Sequence, residues 1–515
     1  MLNLSVILES SARKYPSQPA FTFGETTLTF AQVNGAANQV ANGLIAKGIR
    51  PGDKVALNCL NLPYFPIVYY GILKAGAVCV PLSVLLKKDE TVYHLENSEA
   101  KAFFCFICTE ELPMGKMGYE AFGEVGSCEH FFTIMPDPTM ASPLGTETLG
   151  SLMNGQSPAI NAAETSAEDL AVIIYTSGTT GQPKGAMLTH SNLMLNAILS
   201  ADLVGTCDQD TQLIVLPMFH IFAMTVLLNA GVYRGAHSIL LPRFEAEAAI
   251  GLMRKHAITI FAGVPTMYWG LNGYSDEAHI EEVSKHLRIA VSGGASLPEQ
   301  VLMDFENKYG VIILEGYGMS EGAPVVSFNH GQDDRKIGSI GTPVWGVQVK
   351  LVDDEGNEVP VGEKGELCYK GHNVMKGYYN KPDATAATIK DGWLHSGDVA
   401  IRDEEGYFFI VDRTKDMIIR GGLNVYPREV EEVMIRHEAV SLVAVIGVKD
   451  DEFGEEIQAC VVLNEGASCT ADELQAWTKE RIAAYKYPRK IDFVPSLPMS
   501  ATGKILKKEI RKNYA

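Results

Sequence analysis

Short apolar, β-rich runs alternate with stretches of helical apolar spacing from Leu28 to about Val326. Residues 54–59 are followed by the helix-like 63–74, and 170–175 by the helix-like 191–203. Such alternation predicts parallel sheets with helices on their faces. After Lys184 the segment GAMLT reads as a strand, with Ser191 as the cap of the next helix. From Gly338 to Ile410 glycines and short strands dominate, and Asp354–Asn357 predicts a hairpin turn, so this part reads as a small antiparallel β unit. Beyond Arg413 about a hundred residues of mixed α and β texture follow.

Two apolar stretches raise other readings. Thr211–Tyr233 contains no Asp, Glu, Lys or Arg, which by count alone suits a membrane span. Its Gln212, Pro217, His220 and Asn229 argue instead for a strand, a turn and a buried helix, with no transmembrane segment. Cys105 and Cys108 form a C-x-x-C inside the run AFFCFIC, which reads as a buried strand. No second pair or histidine cluster accompanies it to make a zinc site. The start of the chain lacks a basic region before an apolar stretch, so a cleaved signal peptide is not expected.

Composition narrows the class. The 515 residues suit about two to four domains. With 46% hydrophobic and 20% charged residues, collagen-like and disordered chains are excluded. The nine cysteines are scattered and odd in number, which favours a reducing compartment and a cytoplasmic protein. The formal charge of −19 argues against a nucleic-acid partner. That charge is uneven: residues 414–515 carry 15 basic and 16 acidic side chains, yet 479–515 carry 10 and 3. An acidic body thus bears a basic C-terminal tip, either a plain solvated surface or a surface for a small polyanionic ligand.

The densest chemical signal is Tyr175–Gly185, YTSGTTGQPKG, directly after the apolar LAVIIY. Hydroxyls, backbone N–H groups and a lysine are the donors a phosphate chain needs, and glycines let the backbone approach it. It is not a Walker A loop, because Pro183 precedes Lys184 and Gly185 follows it. Further along, Glu321 follows Ser320 near two glycines; taken alone, such a carboxylate reads as a surface residue. Pro498, Gly503 and the small residues between them predict an exposed loop ending in Lys504.

The loop resembles the phosphate-binding loop of the adenylate-forming superfamily of acyl-CoA synthetases, luciferases and peptide-synthetase adenylation domains. Further segments resemble that family's motifs in order: Pro217–His220, Ala262–Thr266, Ser292–Ala295, Glu315–Glu321, Trp393–Asp398, Asp412–Asp416 and Pro498–Lys504. The resemblance spans about residues 20 to 510 and is nearest to fatty-acid–CoA ligases. It implies an α/β fold: a large N-terminal domain (1–413) of two α/β sheet subdomains plus a small β-barrel-like subdomain (about 327–413), then a small mobile α+β C-terminal domain (414–515).

The resemblance also implies roles. ATP would be bound by Thr176, Ser177, Gly178, Thr179, Thr180, Gly181, Lys184, Gly293, Gly294, Ala295, Glu315, Gly316, Tyr317, Asp398 and Arg413. Glu321 and Thr176 would hold Mg2+, with Ser320 beside them. Lys504 would press the substrate carboxylate against the α-phosphate. Lys415 would be the hinge about which the C-terminal domain rotates for thiol attack, and Gly421, Gly422 and Leu423 would line the coenzyme A channel. The acyl group would meet His220, Gly263, Val264, Gly294, Met319 and Ala323. The implied activity is an ATP-dependent acid–CoA ligase that forms an acyl-AMP and pyrophosphate and then a thioester. Malonate-activating relatives carry an Arg at the position of Gly316, so a neutral tail is expected, a medium- or long-chain fatty acid first and an arylpropenoic or cyclic acid second. Two other readings remain: transfer of the acyl group to an amine or carrier protein, and a nucleotide-binding protein without acyl chemistry. The last leaves Lys504, His220 and the hinge unexplained. Peripheral contact with a membrane stays open, and no feature of the sequence assigns an oligomeric state.

Overall fold

The computed structural model describes residues 2–108, 112–176, 182–331, 334–413, 416–450 and 453–514, the side chain of Arg413 excepted. Ser177, Gly178, Thr179, Thr180, Gly181 and Lys415 therefore lie outside the described residues.

Four sheets organise the chain. The first runs, in spatial order, Glu147–Thr148, His130–Ile134, Ala100–Phe106, Lys54–Asn58, Val78–Pro81, Leu170–Thr176 and Lys184–Thr189. It is parallel except for the final hairpin, which flanks the glycine-serine loop. The second has nine strands, from Thr342–Pro343 through Val325–Phe328, Ile313–Gly318, Ile289–Ser292, Ile260–Gly263, Thr211–Ile214 and His237–Leu240 to Pro19–Phe23 and Thr26–Thr29. Its middle is parallel and both ends are antiparallel. Parallel strands covered on both faces must be apolar throughout, and Ile289–Ser292 and Ile260–Gly263 are wholly buried. Helices and both sheets share one apolar core.

The third sheet is antiparallel, built on Val347–Val352, Lys364–Gly371 and Trp393–Arg402, with Ile389–Lys390 and Phe408–Arg413 paired to the last. The fourth, within residues 418–493, is also five-stranded and carries apolar clusters of its own on both faces of Val440–Asp450 and Gly454–Leu463.

Thr211–Tyr233 is a strand, a turn and a buried helix whose first part, Ala223–Asn229, is a π-helix. Its polar side chains are bonded internally: Gln212 Nε2 donates to Leu227 O at 2.9 Å, and Asn229 Oδ1 accepts from Tyr70 at 2.9 Å. No helix among the described residues is long and apolar enough to cross a membrane. One cap moves. Helix His190–Val204 is capped by Thr189 rather than Ser191, because Thr189 leaves its strand in extended geometry and forms a reciprocal capping box with Asn192. Ser191 sits inside the first turn, its hydroxyl turned to Thr189 and Glu168. Cys105 is buried in its strand, Cys108 is exposed beyond it, and all nine cysteines are free.

Candidate active site

The first group of site residues gathers where the hairpin Leu170–Thr176/Lys184–Thr189 meets the chain near Tyr378. Thr176 pairs with Lys184 across the mouth of the loop. The second strand is clamped from below, with Tyr379 N donating to Gly185 O at 2.8 Å and Met187 N to Gly377 O at 2.9 Å. This brings the Tyr378 ring under the Lys184 ammonium, 4.2 Å from ring centre to Nζ. The same tyrosine donates to Glu321 Oε1 at 2.8 Å. Glu321 and Ser320 lie on the one-turn 3-10 helix Ser320–Gly322, and the Glu321 side chain is buried. Gly322 is needed there, since a Cβ would sit 2.8 Å from the Tyr369 hydroxyl. On the other side Tyr93 donates to Pro183 O at 2.7 Å, one residue before Lys184. An ammonium and a buried carboxylate thus share one tyrosine, an arrangement suited to a polyanion and its counter-cation.

The second group lies on Ile313–Gly318 and its neighbours. Tyr317 donates to Asp398 Oδ2 at 2.5 Å, and Asp398 is buried. The turn before Asp398 is held by Gly397 N to Glu366 Oε1, 2.9 Å, and Asp398 N to Ser396 Oγ, 3.1 Å. Arg413 pairs with Asp398 through the backbone. Gly293 and Gly294 follow the buried Ile289–Ser292, and Ala295 is exposed. A Cβ on Gly316 would stand 2.5 Å from the Phe328 ring. Glu315 is buried; its Oε1 accepts from Leu297 N at 3.3 Å and its Oε2 has no hydrogen-bond partner. Burial pushes its carboxyl up to about 7, the Arg428 charge only partly opposing this.

The third group is assembled by the C-terminal part of the chain. Residues 498–504 form a loop, as the sequence predicts, but a packed one. Thr266 Oγ1 donates to Gly503 O at 2.9 Å. Inside the loop Gly503 N bonds Ser500 O at 2.9 Å and Lys504 N bonds Ser500 Oγ at 3.1 Å. Gly503 has φ +76°, and a Cβ there would stand 2.8 Å from Thr266 Oγ1. Lys504 then lies along Gly294, its Cε 3.4 Å and Nζ 3.9 Å from where a Cβ would be, with Val264 alongside. His220 is close enough that burial, aided by the Lys504 charge, holds its imidazole down to about 3. It is therefore neutral, its Nδ1 accepting from Phe222 N at 3.3 Å. Around them Gly263 packs on Phe261 and Met267, Ala323 is fully buried with φ +64°, and Met319 is half-buried. The structure thus places Lys504 against His220, Val264 and Gly294.

Gly421, Gly422 and Leu423 stand apart, at an exposed turn of the fourth sheet where Gly421 N bonds Phe453 O at 2.8 Å. Sequence reasoning missed Tyr378, Tyr93 and Thr266. Only Thr266 lay in a recognised motif, while the tyrosines act through neighbours 57 and 90 residues away.

The comparisons agree with one another. Residues 8–379 match the AMP-binding enzyme family and 429–504 its C-terminal domain. The chain is 35% identical to a long-chain-fatty-acid–CoA ligase of Bacillus subtilis (strain 168), over 98% of this chain and 94% of the relative. It is 36% identical to a feruloyl-CoA synthase of an Amycolatopsis species, over 98% and 97%. Among solved structures, an anthranilate CoA ligase in complex with anthranoyl-AMP superposes with a TM-score of 0.92 at 30% identity, over 99% of this chain and 97% of that one.

Proposed function

The chain belongs to the AMP-binding enzyme family, and on that premise we propose a residue-level account of its reaction. It is an acid–thiol ligase of the AMP-forming kind, working on an acyl or aryl acid through an adenylate with ATP and coenzyme A as co-substrates. The observation that carries the account is the seating of Lys504 between His220, Val264 and Gly294.

Both reactants of the first step are anions, so alignment and neutralisation are the protein's task. Lys504 holds the substrate carboxylate against the α-phosphate of ATP, and the neutral His220 adds no competing charge. Lys184 and the loop residues Ser177, Gly178, Thr179, Thr180 and Gly181 hold the phosphates. Asp398 takes the ribose hydroxyls, Arg413 adds a contact there, and Tyr317 with Gly293, Gly294, Ala295, Glu315 and Gly316 forms the adenine side. Glu321 and Thr176 offer carboxylate and hydroxyl oxygens that fit magnesium, with Tyr378 orienting the carboxylate. When bound, that ion supplies positive charge to the phosphates. The C-terminal domain, 414–515, then turns about Lys415 and brings Gly421, Gly422 and Leu423 to the pantetheine path. The basic 479–515 meets the phosphates of coenzyme A. The nine free cysteines suit a cytoplasmic enzyme.

The acid is a monocarboxylate with an uncharged tail. Gly316 has no room for a side chain unless Phe328 moves, and Gly263, Val264, Met319 and Ala323 are small or apolar. A medium- or long-chain fatty acid is the first reading. An arylpropenoic acid is the second, favoured by the likeness to a feruloyl-CoA synthase. One panel separates them, measuring acid-dependent pyrophosphate release and thioester formation with coenzyme A. For a fatty acid, kcat/KM rises from acetate with chain length, each buried methylene adding up to about 0.8 kcal/mol until the pocket ends. A flat or falling profile promotes the aromatic acid. Pyrophosphate release without thioester points to an amine or carrier acceptor.

A further inference from the structure

Beside the residues proposed to bind the substrates, one cluster has the makings of a metal site. Cys368 on Lys364–Gly371 and His395 on Trp393–Arg402 face each other across the antiparallel pair. Glu366, two residues before Cys368, shares its face of the strand. The His395 Nδ1 lies 3.3 Å from Cys368 Sγ and 2.7 Å from Glu366 Oε2, and one donor atom from each residue falls within 4.8 Å of the others. Glu366 and His395 keep 29% and 17% side-chain exposure above the buried thiol, which leaves an entry side.

We propose that Glu366, Cys368 and His395 form a binding site for a thiophilic divalent cation of the zinc class, coupled to the turn that carries Asp398. Thiolate, imidazole and carboxylate are the donors zinc takes, and three protein ligands leave a fourth tetrahedral position for water. With bonds of about 2.0–2.3 Å, such an ion spaces its donors by roughly 3.3–3.7 Å. The sulfur–nitrogen pair is already near that spacing. The nitrogen–carboxylate pair must open, by rotation of the partly exposed Glu366, and the sulfur–carboxylate pair lies within 4.8 Å. Binding releases the thiol proton to solvent, and the imidazole, whose Nδ1–H faces the Glu366 carboxylate, frees Nδ1 for the ion by taking its Nε2–H tautomer. Lys350, opposite Cys368, rests its ammonium on the Trp393 ring, 4.5 Å from its centre, and against the burial that pushes the Cys368 thiol up, its charge and that of Lys390 favour the thiolate form.

The coupling follows from the same carboxylate. Glu366 Oε1 holds Gly397 N, and Ser396 Oγ donates to Leu367 O at 2.6 Å, so Lys364–Gly371 fixes the residues just before Asp398. Pulling Glu366 onto an ion shifts that turn. This part rests on the reading of Asp398 as the ribose contact, and its expected sign is weaker ATP binding.

The test is a Co2+ titration of the intact protein with magnesium in excess. A sulfur-to-cobalt charge-transfer band in the near ultraviolet, saturating at one ion per chain, is expected. It is absent in Cys368→Ser and needs more than roughly tenfold higher Co2+ in His395→Gln. A band that survives in Cys368→Ser, or Co2+ spectra without any charge-transfer band, overturns the site. In the second arm Zn2+ raises the KM for ATP of the unaltered protein but not of Cys368→Ser. If the band appears and KM does not move, the coupling is wrong. Asp398→Asn with an unchanged KM for ATP separately removes the ribose reading and leaves the site itself standing on its spectrum.

Discussion

Two residues concentrate the chemistry. Lys504 reaches the His220 side of the site through a loop, and in the proposed account its ammonium serves the adenylation step alone. Lys504→Ala is expected to lower acyl-AMP formation by about 10²–10³-fold. Thioester formation from supplied acyl-AMP should be preserved, and equal loss of both half-reactions in a folded protein would sink the assignment. Glu315 bears on stability. Its carboxyl titrates near 7 in the folded chain against an ordinary 4.5, because burial disfavours the charge. The folded state therefore holds the proton more tightly than the unfolded one. Stability is unpenalised below about 4.5 and falls as pH rises toward 7, by roughly 3 kcal/mol at most. Other groups add their own slopes, so the comparison is with Glu315→Gln: its melting temperature relative to the unaltered protein should rise between pH 5 and pH 8. A constant difference between the two proteins across that range would contradict the burial argument. The Lys504 role was already implied by the sequence resemblance, whereas the Glu315 effect was not visible in the residue string. Glu315 looked like part of an adenine motif, and only the packing of Leu297 and the neighbouring Arg428 shows a buried acid.

Alternation of apolar runs with helical spacing was enough to foresee sheets covered by helices, and Pro217 with Asn229 was enough to reject a membrane span. Which strands end a sheet was not legible. Thr342–Pro343 and Val325–Phe328 extend the nine-stranded sheet rather than the antiparallel unit that follows, because pairing partners are chosen across space and not along the chain. The same holds for Tyr378, whose value lies in touching Lys184 and Glu321 at once. The lysine loop shows local chemistry and tertiary contact meeting in one element. Glycine at 503 was readable as a loop signal, but its necessity comes from φ +76° and the nearby Thr266 hydroxyl. Gly503→Ala must pay left-handed strain and push Thr266 away, which costs about 1 kcal/mol or more for the conformation alone. The loop should then undock while the fold persists. The expected result is a fall of at least tenfold in adenylation at unchanged melting temperature, with thioester formation from acyl-AMP untouched. A variant as active as the unaltered enzyme would show that the docked geometry does not matter.

At the scale of the molecule, the contacts between the C-terminal part and the rest are mostly polar among the described residues. Thr266 bonds Gly503, Arg436 meets Glu299 at 3.4 Å, and Arg428 N donates to Asp412 Oδ2 at 3.0 Å. Its apolar clusters are its own, and Ala501 of the lysine loop reaches the main core. The exposed Arg436–Glu299 pair contributes at most about 1 kcal/mol, and a typical hydrogen bond about 1 kcal/mol net, so such contacts can be exchanged for others without unfolding either side. That is the energetic condition for one domain to serve two half-reactions in turn. In the proposed account the seated Lys504 serves the first of them. In the proposed account the backbone at Lys415 absorbs the turn, and proline there restricts φ to about −65°. Lys415→Pro is therefore expected to slow thioester formation far more than adenylation, measured as separate single-turnover steps on the same preparation. If adenylation falls as much, the rotation is centred elsewhere and Lys415 belongs to the catalytic or folding machinery instead. If neither step changes, alternation of the domain does not limit this enzyme, and the weak interface must serve substrate exchange rather than the second half-reaction.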